Sequence, residues 1–233
     1  MATKKSQRIG IAIILAVTVI GTVGSFAVMV LSQQNATKEA AQQQKDMAEY
    51  NQKIQERQAK IDTQTKELSD KYYETFKQYE SRVGSFDLNE NNKELKTEDI
   101  TTGDGEEIGD DSKFAVYYIG WNPSGKVFDG SIDGDKLKEP LYYNDIYRGT
   151  LGLESGLANA SLIEGWKEGM KGMRVGGVRE LTIPSDKAYG ETGQGNDIPP
   201  NTPIRFVVMA IPKLGEFPEP EYPVSALQGG LYR

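Results

Sequence analysis

Hydrophobic and polar positions divide the 233-residue chain into three regimes. Ile9 to Leu31 (IGIAIILAVTVIGTVGSFAVMVL) carries no charge. As a helix it spans about 34 Å, enough for a bilayer core. Ser32 to Val83 is polar, holds no proline or glycine, and is rich in Ala, Gln, Lys and Glu. Its apolar residues, Met47, Tyr50, Ile54, Ile61, Leu68, Tyr72, Phe76, Tyr79 and Val83, recur at helical spacing, while Arg57 and Gln64 interrupt the stripe. This predicts a long helix, read either as a solvated stalk or as the seam of a dimeric coiled coil, that is, a homodimer through the stalk. Its aromatic end has a third option, docking on the domain that follows.

Past residue 95 the pattern changes to short β-rich runs broken by turns. Lys113 to Trp121 (KFAVYYIGW) predicts a strand, Asn122-Pro123-Ser124-Gly125 a turn, and Lys126 to Asp129 a returning strand. A short helix is expected over Ile163 to Met170, ending at a glycine corner between Gly172 and Gly177. Strands follow at Arg179 to Pro184 and Ile204 to Ile211; in the latter Ile204, Phe206, Val208 and Ala210 share a face. Many strands with one short helix predict an α+β domain on an antiparallel sheet. The expected division is a basic tail at 1–8, a transmembrane helix at 9–31, a helical stalk at 32–86, a polar linker at 87–96, the globular domain at 97–214 and a proline-containing tail at 215–233.

Composition narrows the chemistry. The chain has no Cys and no His, which excludes disulfides, Cys/His zinc sites, Ser-His-Asp triads and Cys-His dyads. A net charge of −7 argues against a nucleic-acid binder. Lys4, Lys5 and Arg8 before the apolar run favour a cytoplasmic N-terminus, with the remainder on the other side of the cell membrane in a single pass. A cleaved signal peptide is the rival reading. The run is longer than a usual signal core and no A-x-A site follows it, which favours an uncleaved anchor.

Residues 87 to 98 (DLNENNKELKTE) place Asp87, Asn89, Asn91 and Glu98 at calcium-loop spacing, against a plain polar linker. Asp129, Ser131 and Asp133 make a poorer match. No metal site is expected from either, and no cofactor. From Ser161 to Phe206, large rings stand beside turns with no charged cluster between them, a surface suited to hold an apolar group.

These pieces resemble the FKBP-type peptidyl-prolyl isomerases. The likeness spans roughly Thr97 to Leu214. It rests on Gly103-Asp104-Gly105, Tyr117 to Trp121, Gly125 to Asp129, Leu162 to Trp166, Gly172 to Gly176, Leu181 to Pro184, Ala188-Tyr189-Gly190, Ile198 to Asn201 and Ile204 to Phe206, in that order. The resemblance implies a twisted antiparallel sheet wrapped on a short helix, following the anchor and stalk. It also implies rotation about Xaa-Pro bonds of proline-containing polypeptides and binding of the family's macrolide inhibitors. By the same resemblance Trp166 is the floor under the proline ring and Tyr118, Phe128 and Phe206 are its walls. The Ile163 N–H and the Tyr189 hydroxyl bond ligand carbonyls, Asp129 accepts a hydrogen bond from Tyr118, and Leu162 and Ile198 complete the substrate site. The stretch from Pro140 to Leu162 is longer than the family's, with Tyr142 and Tyr143 as candidates for a further pocket aromatic. The expected role is help in folding exported or membrane proteins; the alternative is a non-catalytic peptide-binding or chaperone module on a membrane stalk.

Overall fold

A computed structural model describes residues 5–144 and 148–224, with side chains described from Ser25 onward. One helix, α1, covers Lys5–Lys77. A 3-10 turn, Gln78–Arg82, follows it and takes in Tyr79, the last but one of the apolar stripe. With no glycine or proline between Ser32 and Val83, nothing in that stretch of backbone breaks the helix. Pairs such as Glu49 with Lys53 at 2.8 Å and Lys66 with Asp70 at 3.1 Å lie one turn apart on its exposed surface, the spacing at which opposite charges support a helix.

The chain forms two compact units, Met1–Gln58 with Pro218–Arg233, and Ala59–Phe217. In the first, the rings of Tyr50 and Tyr222 meet edge to face at 5.3 Å, so a stripe position is met by the chain's own tail. Phe26, Val28, Met29, Val30 and Leu31 are exposed. Among the described residues no helix is long and apolar enough to cross a membrane. Most of the apolar run at 9–31 precedes Ser25, outside the residues whose side chains are described.

The second unit begins inside the stretch read from sequence as stalk. Its strands are β1 (Lys96–Thr101), β2 (Phe114–Trp121), β3 (Val127–Gly130), β4 (Ile132–Asp133), β5 (Lys136–Leu137), β6 (Val178–Ile183) and β7 (Ile204–Pro212). Five form an antiparallel sheet in the order β1-β6-β7-β2-β3, and β4 and β5 make a small hairpin. The helix α2 (Glu164–Met170) lies on the face of β6 that carries Leu181 and Ile183. Gly165 and Gly169 allow that approach. A Cβ at Gly165 would stand 2.2 Å from the Ile183 side chain, and one at Gly169 2.9 Å from Leu181. Arg179 on β6 donates to the carbonyls of Gly169 and Lys171 at 2.9 and 3.0 Å, which satisfies the open end of α2. Its charge is met by Asp99 on β1 at 2.6 Å.

The opposite face of the sheet carries Tyr117, Ile119 and Trp121, and the last turns of α1 cover it. Phe76 is fully buried, 6.0 Å from the Tyr117 ring, and Tyr72 lies 6.2 Å from the same ring. Burial on both faces explains why β2 reads as a nearly unbroken apolar run rather than an alternating one. Arg82, just past α1, ties this packing to the sheet through Glu180 at 2.8 Å and Glu98 at 2.9 Å.

The calcium-like spacing at 87–98 is used differently. Asp87 accepts the Glu90 N–H at 2.7 Å, and Asn91 donates to the Asp87 carbonyl and accepts from Arg205. Glu98 faces Arg82 from β1. A carboxylate drawn to a guanidinium does not complete a cation shell, so these residues form an ordered turn. Asp129 and Ser131 likewise serve the site described next.

Candidate functional site

Strands β2 and β7 run side by side so that Gly120 pairs with Phe206 and Tyr118 with Val208. On β3, Asp129 pairs with Gly120 and Val127 with Trp121, leaving Phe128 as the extra residue of a bulge. Such a bulge re-aims a side chain. Here the Phe128 ring turns to Phe206, edge to face at 5.6 Å. Trp166, rising from α2, meets Phe206 at 5.0 Å and Tyr118 at 5.2 Å, both nearly perpendicular. Tyr118 and Phe206 are 6.2 Å apart. These edge-to-face contacts gather four rings into one bowl. Trp166 and Phe206 are buried and Tyr118 and Phe128 half-buried, so the floor is dry and the walls reach solvent.

Gly120 makes room for the rings. A Cβ there would come within 2.4 Å of the Phe206 ring and 2.9 Å of the Phe128 ring. No local motif marks this requirement, because it is cross-strand. Ser131 is another residue missed as a functional support. Its N–H donates to the Tyr118 carbonyl at 2.8 Å and its hydroxyl oxygen accepts the Tyr118 N–H at 3.0 Å, which fixes the backbone under the ring.

The Tyr118 hydroxyl donates to Asp129 Oδ2 at 2.7 Å, and Asp129 Oδ1 accepts the Gly130 N–H at 2.8 Å. Burial first, then the hydrogen bond and negative charge of Asp129, pushes the Tyr118 phenol well above its ordinary value. It therefore remains a donor at any physiological pH. The Tyr189 phenol is also raised, by burial and then by the charge of Asp129. Tyr189 sits in a loop held by Ser185, whose carbonyl accepts from Ala188 and Gly190. Asn92 in the polar linker accepts the Ser185 N–H at 2.7 Å and donates to the Asn201 carbonyl at 3.1 Å. The linker thus braces the Tyr189 loop, a role its composition did not announce. Lys126 pairs with Asp197 beside the buried Ile198.

Ile163 is the residue before α2, in extended conformation, and its carbonyl accepts the N–H groups of Trp166 and Lys167. Among the described residues, neither the Ile163 N–H nor the Tyr189 hydroxyl has an acceptor. Leu162 and Ile163 are half-buried against the core. The buried Trp166 Nε1 also lacks a partner. Tyr142 and Tyr143 stand elsewhere. Their rings pair with each other at 5.0 Å, Tyr142 is buried, and the Tyr143 hydroxyl bonds Gln64 and the Gly215 carbonyl at 2.7 and 2.9 Å.

An apolar bowl of four rings on an α+β domain suits a small apolar ring, and fold and site together define a binding domain of that kind. The model of the family described as FKBP-type peptidyl-prolyl cis-trans isomerase matches residues 105–211. The FK506-binding protein of Neisseria meningitidis (serogroup A / serotype 4A) is 39% identical over 114 residues, 49% of this chain and 91% of that protein. A probable FK506-binding protein of Corynebacterium glutamicum is 35% identical over 118 residues, 50% of this chain and 84% of that one. A peptidyl-prolyl cis-trans isomerase from Pseudomonas syringae pv. tomato, known from its crystal structure, is 27% identical with a TM-score of 0.40, and the match covers 58% of this chain and 87% of that one. The chain belongs to the FKBP-type peptidyl-prolyl cis-trans isomerases, and is an enzyme of that class.

Proposed function

We propose that the bowl of Tyr118, Phe128, Trp166 and Phe206 takes the proline ring of a polypeptide and eases rotation about the preceding bond. The uncatalysed isomerisation takes tens to hundreds of seconds, because rotation breaks amide resonance. The planar amide is more dipolar than the twisted one. Transfer from water into a dry aromatic bowl therefore disfavours the ground state more than the transition state. The Ile163 N–H and Tyr189 hydroxyl hold carbonyls on either side while the bond turns, with Leu162 and Ile198 packing beside them. Asp129 keeps Tyr118 oriented by accepting a hydrogen bond from its hydroxyl. No proton transfer is needed, which accords with a chain that has no His or Cys. The observation that carries this reading is the mutual packing of the four rings around the glycine at 120.

The same bowl binds the family's macrolide inhibitors. The uncharged run Ile9 to Leu31, of which Phe26 and Val28 to Leu31 are exposed, anchors the chain in the cell membrane, N-terminus inside. The domain then stands outside, where it assists folding of exported and membrane proteins. A protease-coupled assay on a Xaa-Pro peptide tests the enzymatic part. Acceleration abolished by a family macrolide is expected. Peptide binding with no acceleration would point to the non-catalytic module instead. Retention in the membrane fraction, lost when residues 1–31 are removed, tests the anchor.

A further inference from the structure

A second cavity opens on the other side of β3. It has a volume of about 790 Å3, within the range of sites that hold sizeable ligands. Ile119, Val83, Val127 and Ile132 supply its apolar lining. Glu80, past the end of α1, and Lys138, after the β4–β5 hairpin, supply charge. The register separates it from the bowl. Ile119 and Val127 point to the face opposite Tyr118 and Gly120, since successive strand residues alternate. Yet Phe128 and Asp129 border both spaces. Strand β3 is the free edge of the sheet, so a chain leaving the bowl across β3 meets this groove next.

We infer that the groove is a subsite for the polypeptide segment flanking the Xaa-Pro bond. The inference rests on the bowl being the prolyl site. The occupant is an extended stretch of unfolded chain bearing apolar side chains, and three observations favour it. The groove is continuous with the bowl through two residues. Its lining mixes apolar side chains with two acids, Glu80 and Asp129, and one base, Lys138, as unfolded polypeptide mixes apolar and charged groups. Val127, at 46% exposure, is a large apolar side chain left open on an edge strand, where proteins usually place charge or a bulge. The bulge is present, but it turns Phe128 inward and leaves Val127 uncovered. A single turnover on a short peptide would use the bowl alone. A longer substrate would gain residence from the groove, which suits an enzyme that must find prolines in unfolded chains.

The test compares the full-length chain acting on an Xaa-Pro tetrapeptide and on two longer peptides, extended by about eight residues on the N-terminal or the C-terminal side, enough to span some 27 Å. One extension is expected to raise kcat/KM about five- to tenfold, a gain typical of one extra apolar contact. Val127→Glu and, independently, Ile132→Gln should remove that gain and leave tetrapeptide turnover unchanged. The proposal fails if neither extension helps, or if the gain survives in a folded Val127→Glu or Ile132→Gln protein. It fails as well if both variants lose tetrapeptide activity, because the groove would then be part of the scaffold. A gain that depends on enzyme concentration would put a second copy of the chain in the groove and would also overturn it. A wild-type chain inactive on the tetrapeptide strikes the prolyl site itself, a distinct failure.

Discussion

Tyr117 and Tyr118 are neighbours on one strand, and they face opposite ways. Tyr117 is fully buried under Phe76 and Tyr72, and its hydroxyl has no partner among the described residues. Tyr118 stands half-open in the bowl and gives its hydroxyl to Asp129. Both phenols are pushed up by burial, but only Tyr118 is raised further by a hydrogen bond to a carboxylate. The residue type is the same and the backbone nearly so. What separates a core plug from a site residue is what stands at the ring's far end. On one face the sheet is closed by a helix, and on the other the rings touch one another and their walls stay open to solvent.

The strongest way to break the comparison is on the closed face. Phe76→Ala removes a fully buried ring and should cost about 3–5 kcal/mol of stability, read by denaturant unfolding, with turnover per folded molecule unchanged. Loss of turnover in the folded fraction would mean that the two faces are not independent. Next comes the tyrosine pair. Tyr118→Phe removes a hydrogen bond to a charged acceptor, about 1.5–3 kcal/mol, and leaves Asp129 with one donor fewer. It should lower both stability and kcat/KM. Tyr117→Phe removes an unpartnered buried hydroxyl and should be neutral or stabilising by about 1 kcal/mol. Equal effects from the two would erase the distinction. Tyr189→Phe should slow turnover by about tenfold or less, the worth of one neutral hydrogen bond, with no change in unfolding midpoint.

The smallest effect is in pH. With no His or Cys, kcat/KM should be flat between about pH 6 and 9. The phenols of Tyr117, Tyr118 and Tyr189 are raised above their ordinary value of 10.0. Their stabilising contribution is therefore whole below that value and is lost as pH rises through the higher folded values. At the acid end, Asp99 is held low by its hydrogen bond to Arg179 and then by that residue's charge. Its contribution is present above the ordinary value of 3.8 and fades as pH falls through the lower folded value. Unfolding titrations at both ends of the scale check the two signs.

The rings of the bowl were legible because each lies in a short local motif whose order survives in the sequence. Their support was not. Gly120 looks like any strand glycine until Phe206 is placed across from it, and Ser131 looked more like a weak metal ligand than a clamp on Tyr118. Strand β1, KTEDIT, is polar and mostly exposed, so it carries none of the β-branched apolar pattern that marks β2 and β7. The hairpin of β4 and β5 has only two residues in each strand, too few for any periodicity. The aromatic end of α1 had the spacing of a helix face, but spacing alone does not choose between a second helix and a sheet as its cover. The nearly unbroken apolar run of β2 carries that choice, since a strand covered on both faces does not alternate.

Trp166 touches both Tyr118 and Phe206 and forms the buried floor of the bowl, so the account stands most directly on it. The decisive measurement is kcat/KM of Trp166→Ala on an Xaa-Pro peptide, made on protein shown to be folded by circular dichroism. A fall of at least about tenfold is predicted, the equivalent of 1.4 kcal/mol of lost transition-state stabilisation. Turnover equal to the unaltered enzyme would contradict the claim that the rings around Trp166 are where the prolyl bond turns.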